Sequence, residues 1–367
     1  MKIAMIGQKG IPVTSGGIER HVEEICKRLA QRGHDVTVYN RQGYQEYDGG
    51  EYCGIRLKTT FTVNNRSLEA MVYSFLASIN AVFKGYDIVH YHALGPSVMS
   101  FIPRIFGKKV IVTVHGLDWQ RKKWGRFARL YLKLGERISA YVPHKTVTVS
   151  DKLKKHYLSR YGKEAVFIPN GILKPDEKQA DIIKRYGLDK NNYILFLARL
   201  VPEKGCHYLL KAFDKIDTGI KLVIAGGSSY SDEYCSELAK YKKENIIFTG
   251  EVKGDLTKEL YSNALFYVLP SEIEGMPISM LEAMSYGICP LVSDIEENME
   301  VLNSEGNSFG FSFTSKDADS LKEKIEYMLE NQEKVLRMGM AAKEYVLKKY
   351  NWDTVTESLE QAYKSIT

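Results

Sequence analysis

Short apolar runs rich in Val, Ile and Leu alternate with amphipathic stretches along the whole chain, and this alternation constrains the fold more than any other feature. Residues 3–7, 35–39, 87–91, 110–114, 146–149 and 165–168 each read as a short strand. Between the first two, Val22, Ile25 and Leu29 fall at helical spacing within residues 19–31, and residues 68–83 read as a further helix. Runs that are apolar at nearly every position must be covered on both faces, as in a parallel sheet flanked by helices. After Pro169-Asn170-Gly171 the pattern restarts, with strands at 193–197, 221–225, 246–248 and 265–269 and helices at 206–216 and 233–242. The 367 residues suit two domains of ordinary size. The expected architecture is α/β: two doubly wound domains, residues 1–169 and 170–349, facing across a cleft with a hinge near 169–173. Ligands of such sheets bind outside the carboxyl ends of the strands. A last helical stretch carries Val355, Leu359 and Tyr363, and the segment 350–367 is expected to return onto the first domain.

Bulk properties exclude several classes. No window approaches 18 uninterrupted apolar residues, so no transmembrane helix is expected. The opening Met1-Lys2-Ile3-Ala4-Met5-Ile6-Gly7 reads as a core strand, too short for a signal peptide. Five scattered cysteines point to a reducing, cytoplasmic setting, without a disulfide framework or a zinc site. The net charge of +6 hides an asymmetry: residues 1–170 hold 27 Lys/Arg against 13 Asp/Glu, and residues 171–367 hold 24 against 32. A basic half suits an anionic partner such as a lipid surface or a lipid-phosphate acceptor, or is simply a solvated surface. No nucleic-acid recognition motif accompanies the charge, so no nucleic acid is expected.

The chemistry concentrates at a strand-to-helix junction. Glu274 and Glu282, with seven residues between them, follow the apolar run Leu265–Leu269. Glu274 falls in the loop and Glu282 about one turn into the helix, roughly 6 Å along its axis. Two carboxylates so placed can serve the hydroxyls at two ends of one ligand. Arg199 and Lys204 follow the strand 193–197, where a planar fork and a point charge suit a diphosphate. Alone they would read as solvated cations; beside the two carboxylates they read as a site. Gly16 and Gly17 sit between the first strand and first helix, where a backbone can approach a ligand closely. Gly7-Gln8-Lys9-Gly10 lacks the dinucleotide spacing, which argues against a nicotinamide enzyme. His115 ends the strand 110–114 and is placed to meet a substrate hydroxyl. Of His90 and His92, one is expected in the core and one at the cleft edge, without partners at metal spacing. The stretch from Trp119 to Arg137 mixes cations with aromatics, and Trp119, Arg121, Lys122, Lys123 and Trp124 are expected on an acceptor or membrane side. Asp317-Ala318-Asp319 reads as a helix cap, not a metal motif.

With these residues in place, the chain resembles the retaining glycosyltransferases of family 4, which have the GT-B fold. The resemblance spans nearly the whole length: Gly16-Gly17, His115-Gly116, Ile168-Pro169-Asn170-Gly171, Arg199 with Lys204-Gly205, Ala225-Gly226-Gly227, Phe248-Thr249-Gly250-Glu251-Val252, and Glu274 with Glu282-Ala283-Met284. The opening Ile6-Gly7 to Glu19 is similar to a branch that includes bacterial rhamnosyltransferases and envelope polysaccharide enzymes. The resemblance implies that Glu282 binds the ribose, that Glu274 and the backbone of Gly275, Met276, Pro277 and Ile278 hold the donor sugar, and that Arg199 and Lys204 hold the diphosphate. It also implies Gly16, Gly17, Gly226 and Val252 in the donor site, and His115 near the reacting face of the sugar. The catalytic set is then His115, Glu274, Arg199 and Lys204. Pro277 departs from the glycine that many members carry, and removes one N–H from the sugar site.

The implied activity is transfer of a hexose or deoxyhexose from a nucleotide diphosphate sugar to a glycan or lipid-linked acceptor in cell-surface polysaccharide synthesis. A UDP-sugar stands first as donor, with dTDP-rhamnose and GDP-sugars as other choices. Retention, no metal, no cofactor and peripheral contact with the inner face of an anionic membrane complete the expectation. The alternatives are a sugar-nucleotide epimerase or hydrolase of the same architecture, and a non-catalytic nucleotide-sugar binding protein.

Overall fold

The computed structural model describes residues 1–14, 16–44, 47, 49–65, 68–121, 124–227, 232–304 and 306–367. Two compact units emerge, one of Met1–Gly171 with Trp352–Thr367 and one of Ile172–Asn351. The first runs β1 (Lys2–Ile6), α1 (Gly17–Gln31), β2 (Asp35–Arg41), β3 (Glu51–Tyr52), β4 (Ile55–Thr60), α2 (Glu69–Val82), β5 (Ile88–His92), α3 (Leu94–Ser97), α4 (Phe101–Ile105), β6 (Lys109–Val114), α5 (Arg126–Tyr141), β7 (Lys145–Thr148), α6 (Asp151–Tyr161) and β8 (Val166–Phe167). The strands form one sheet in the order β3-β4-β2-β1-β5-β6-β7-β8, parallel except between β3 and β4. Successive side chains of a strand point to opposite faces. Ile3 and Met5 of β1 accordingly join the core that Val22, Ile25 and Leu29 of α1 build, while Ala4 and Ile6 join Tyr73 and Ala77 of α2 and Leu132 of α5.

The second unit runs β9 (Tyr193–Leu197), α7 (Cys206–Phe213), β10 (Lys221–Ala225), α8 (Asp232–Ala239), β11 (Ile246–Gly250), α9 (Asp255–Asn263), β12 (Phe266–Leu269), α10 (Ile278–Ser285), β13 (Cys289–Ser293), α11 (Glu296–Leu302), β14 (Asn303–Ser304), β15 (Asn307–Ser308), β16 (Phe311–Phe313), α12 (Ala318–Glu330) and α13 (Gln332–Lys349). Its six-stranded sheet is parallel throughout, in the order β11-β10-β9-β12-β13-β16. Two cores cover its faces, one holding α9, α10 and α13 and the other α7 and α12. Each half is thus Rossmann-like. β13 escapes a propensity reading because Pro290 interrupts it; pairing with β16 begins only at the next residue, Leu291.

The last helix, α14 (Trp352–Lys364), belongs to the first unit. Trp352, Val355 and Leu359 enter the core on the α1 side. Arg28 Nε donates to Asp353 Oδ1 at 2.9 Å and Arg32 Nη1 to Glu360 Oε2 at 3.2 Å, which fixes α14 along α1. Asp317 caps α12, its Oδ1 accepting from the N–H groups of Asp319 at 2.9 Å and Ser320 at 3.0 Å. All five cysteines are free thiols. No helix among the described residues is long and apolar enough to cross a membrane.

Candidate active site

In the second unit, three strand ends deliver the expected residues. Lys204 sits in a single turn of 3₁₀ helix, Pro202–Lys204, after β9. The following Gly205 has φ +69°, and a Cβ there would lie 1.9 Å from the Pro270 carbonyl oxygen, so only glycine lets this turn press against the end of β12. A backbone bond from Glu272 N–H to Glu203 O at 2.9 Å ties the same two segments together. The consequence is direct: Lys204 Nζ lies 2.5 Å from Glu274 Oε1, an ion pair that is mostly shielded from water. Ser271 Oγ donates to that same oxygen at 2.6 Å. Both contacts fall on Oε1, so Oε2 is the oxygen that remains for a ligand hydroxyl.

Glu282 occupies the fifth residue of α10 and stands apart from that pair. Tyr261, which stacks on Tyr286 at 5.4 Å between ring centroids, donates to Glu282 Oε2 at 3.3 Å. The Tyr267 hydroxyl lies 3.2 Å from Leu197 O and 2.8 Å from Ser279 Oγ, linking β9 to the first turn of α10. Burial pushes the Tyr267 phenol above its ordinary value, so it stays neutral. Pro277 is the residue before α10, and its carbonyl accepts from Met280 and Leu281 N–H, both at 3.1 Å. Pro277 offers no N–H, and that of Ile278 bonds to Met276 O at 3.0 Å, so two of the four backbone groups expected to hold a sugar are spent. Met276 and Val252 rest partly buried against the core, and Gly275 is half-buried. Arg199 is exposed beyond β9. Gly226, at φ +147°, follows β10, and a Cβ there would lie 1.9 Å from Ala198 O, so the turns after β9 and β10 run in contact.

In the first unit, a cluster of imidazoles gathers around His115. His115 Nε2 is 3.2 Å from His92 Nδ1, and its ring centroid is 4.7 Å from that of His21. His21 comes from the first turns of α1, just after Gly16 and Gly17, and its Nδ1 bonds Asn170 Oδ1 at 2.7 Å. Gly16, at φ +106°, is the residue before α1, and Gly17 opens the helix. The expectation that His90 and His92 divide between core and cleft is overturned: both are fully buried. They point the same way along β5, as alternate residues of a strand must. His90 bonds Tyr363 and Thr113, each at 2.7 Å, whereas His92 Nε2 has no hydrogen-bond partner among the described residues.

Burial, with the Asn170 bond opposing it, holds the His21 imidazole at about 4, and burial with the neighbouring His21 holds His90 at about 3. Burial likewise keeps His92 and His115 well below the ordinary histidine value. The cluster is neutral near pH 7. Nitrogens of His21, His92 and His115 lie within 4.8 Å of one another, so the partners missing from the His-x-His spacing come from α1 and the residue after β6. A tetrahedral zinc ion would need its nitrogens roughly 3.3 Å apart.

The stretch after β6 also differs from expectation. The helix begins only at Arg126, and Trp119 and Trp124 turn inward against the core instead of outward. Trp119 Nε1 donates to the buried Glu136 at 2.6 Å, and Arg121 pairs with Asp118 at 3.2 Å. Lys122 and Lys123 lie outside the described residues.

Comparison with known proteins decides the family. The model for Glycosyltransferase Family 4 matches residues 15–172, and that for Glycosyl transferases group 1 matches residues 178–345. The chain is a family 4-like glycosyltransferase. An uncharacterized glycosyltransferase of Methanocaldococcus jannaschii is 28% identical over 99% of this chain and 98% of its own. A GDP-mannose-dependent α-(1-6)-phosphatidylinositol monomannoside mannosyltransferase of Mycobacterium tuberculosis is 24% identical over 98% and 97%. Among solved structures, Anabaena HepE in complex with UDP and glucose superposes with a TM-score of 0.82 at 17% identity, covering both chains fully. The fold of this glycosyltransferase is therefore GT-B.

Within it, the residues that sequence reasoning did not single out are those tied by tertiary contact. Ser271 precedes Glu274 by three residues and was readable as a polar neighbour. His21 lies among the buried positions of α1, between Ile18 and Val22, where a polar residue on an apolar face was the available signal.

Proposed function

We propose that this glycosyltransferase moves a hexose or deoxyhexose from a nucleotide diphosphate sugar to a glycan or lipid-linked acceptor of cell-surface polysaccharide synthesis, with retention. The observation that carries the reading is the Lys204–Glu274 pair at the β12–α10 junction, with Glu282 set further along α10. In this reading Glu282 accepts from the ribose hydroxyls and Glu274 Oε2 from a sugar hydroxyl. Arg199 and Lys204 neutralise the diphosphate, aided by the positive end of α10. The C1–phosphate bond breaks while the acceptor oxygen bonds to C1 on the same face, and the acceptor proton passes to the departing phosphate oxygen. The protein supplies charge and orientation, with no covalent intermediate. No metal is assigned to the transfer step. His115 and the Gly16-Gly17 turn are assigned by resemblance to the sugar and phosphate. The first unit is assigned to the acceptor, and the enzyme to the cytoplasmic side, where nucleotide sugars are available.

A UDP-sugar stands first as donor, as the HepE complexes hold UDP and UDP-glucose; a GDP-sugar, as the mycobacterial relative is named for, and dTDP-rhamnose are the other choices. A thermal-shift panel of UDP-, GDP- and dTDP-sugars separates these, because a bound donor raises the melting temperature with its occupancy. Product anomers read by NMR test retention. Turnover of donor without acceptor at the full transfer rate would replace transfer by hydrolysis.

A further inference from the structure

The first unit leaves an unusual amount of apolar surface uncovered, much of it on three helices. On α2, Phe75, Leu76, Ile79 and Phe83 are exposed, at spacings that put them on one side of the helix, and Phe83 is 79% exposed. On and just after α4, Phe101, Ile105 and Phe106 are exposed, Ile105 at 73%. On α5, Phe127, Leu130 and Leu134 recur at helical spacing, with Leu130 at 68%. Soluble proteins leave large apolar side chains exposed singly, and a contiguous patch marks an interaction site.

α2 and α5 cover the same face of the sheet, through the core that contains Tyr73, Ala77, Leu132 and Ala140, and α4 packs against α2 and β6. Their ends are bonded together. Lys108 Nζ donates to Lys84 O at 3.1 Å, which brings the end of α2 to the turn after α4. Arg104 Nε donates to Val142 O at 3.2 Å, which brings α4 to the end of α5. Phe83, Ile105, Phe106 and Tyr141 therefore belong to neighbouring helix ends.

The charges on this face have one sign. α5 carries Arg126, Arg129, Lys133 and Arg137 as an exposed stripe beside its apolar one, and Lys84 and Arg104 extend it across α2 and α4. The only carboxylates in the three helices, Glu69 and Glu136, turn inward. Glu69 pairs with Arg41 at 3.1 Å, and Glu136 with His156 at 2.6 Å. A face with an apolar centre and an unneutralised cationic border fits a surface that is apolar inside and anionic outside. A second copy of the chain would set cation against cation.

We infer that the α2–α4–α5 face is a docking surface for an anionic phospholipid bilayer, with Phe83, Ile105 and Leu130 entering the acyl boundary and the α5 cations meeting the headgroups. This deepens the transfer reading by making a lipid-linked acceptor the natural one, but the docking itself needs neither donor nor turnover. It also moves the contact from Trp119 and Trp124, which pack inward, to the outer stripe of α5 and to two helices outside that stretch.

The test is co-sedimentation of the full chain with phosphatidylcholine vesicles, with and without about 30 mol% phosphatidylglycerol. Wild-type protein should bind the anionic vesicles, and salt should weaken that binding. Arg126→Glu/Arg129→Glu/Lys133→Glu should lower the affinity about a hundredfold, from roughly fivefold for each cation lost. Phe83→Asp/Ile105→Asp/Leu130→Asp should lower it at least about tenfold on anionic vesicles. All six positions are solvent-exposed, and circular dichroism would verify that the variants fold. Binding that is absent, equal on neutral vesicles, or unchanged in both variants overturns the inference. So does a dimer in light scattering that the apolar triple variant dissolves, since the face would then belong to a second copy. Vesicle binding that persists in a chain without transferase activity leaves this surface standing and removes the transfer reading; the reverse result does the opposite.

Discussion

The two units share one architectural plan and differ sharply in where they keep charge. In the second unit the chemistry is ionic: a shielded lysine–glutamate pair, an exposed arginine and a second carboxylate one turn into a helix. In the first it is neutral: four clustered imidazoles, three of them buried, with a bond between His92 and His115 and others to Asn170, Thr113 and Tyr363, and with the cations displaced to an outer apolar face. Parallel sheets expose the same kind of site at their strand ends. What differs is the ligand each can take: a charged diphosphate suits the second unit, and hydroxyls or an uncharged surface suit the strand ends of the first.

The sharpest way to break this contrast is to remove the ionic pair. Lys204→Ala or Glu274→Ala should lower transfer by about 10³, roughly 4 kcal/mol in the barrier, with kcat falling more than donor affinity. Lys204→Ala also leaves Glu274 without its cation, so Lys204→Arg should recover part of the rate where Ala does not. Near-normal rates in the alanine variants would remove the site assignment.

Acid should then distinguish the units by stability. Seven of the eight histidines lie in the first unit. His21 and His90, at about 4 and about 3, titrate below the 6.5 of an unfolded histidine. Between those values the unfolded chain binds protons that the folded unit refuses, so stability is lost as pH falls. Above about 6.5 neither state is protonated, and the contribution is fully present. Each such histidine should cost on the order of 1 kcal/mol per pH unit between about pH 6 and 4. Hydrogen exchange at pH 7 and pH 5 should show β5 and β6 loosening before β9 and β12. Equal loosening in both sheets would count against the neutral cluster as the source.

A milder effect is expected at Glu282. Tyr261 meets it through an uncharged hydroxyl, at 3.3 Å, where Glu274 meets an ammonium. Glu282→Gln keeps an acceptor oxygen, so donor KM should rise about tenfold, by roughly 1.4 kcal/mol, with kcat nearly unchanged. A kcat effect as large as that of Glu274 would merge two roles that the geometry separates.

What the sequence made legible follows from how local each feature is. Most strands of the two sheets were readable because their residues are covered on both faces, although β3, β4, β13 and β16 were not, and Glu274 and Glu282 were readable because loop and helix are adjacent in the chain. The imidazole cluster was not, since His21, His92 and His115 come from α1, β5 and the residue after β6 and meet only through sheet order. Trp119 and Trp124 were misplaced because cations around an aromatic pair look amphipathic, although the helical period starts only at Arg126. The exposed face of α2 was hidden for a related reason: the helix is apolar almost all round, and periodicity cannot say which side the sheet will cover.

The smallest effect concerns a feature on which both units ought to agree, the local rule for starting a helix. Asp317 sits in extended conformation before α12 and accepts two N–H bonds, while Ser150 does the same work before α6, accepting from Leu153 N–H at 3.4 Å. The shorter bonds and the negative charge at a helix N-terminus make the Asp317 cap the stronger. Asp317→Ala should cost about 1 kcal/mol in urea unfolding, and Ser150→Ala about half of that. Asp317→Asn should retain most of the stability, because the hydrogen bonds survive and only the interaction with the helix dipole is lost. If Asn is as damaging as Ala, charge outweighs geometry at this cap, and the acidic second unit depends on its carboxylates even where no ligand is involved.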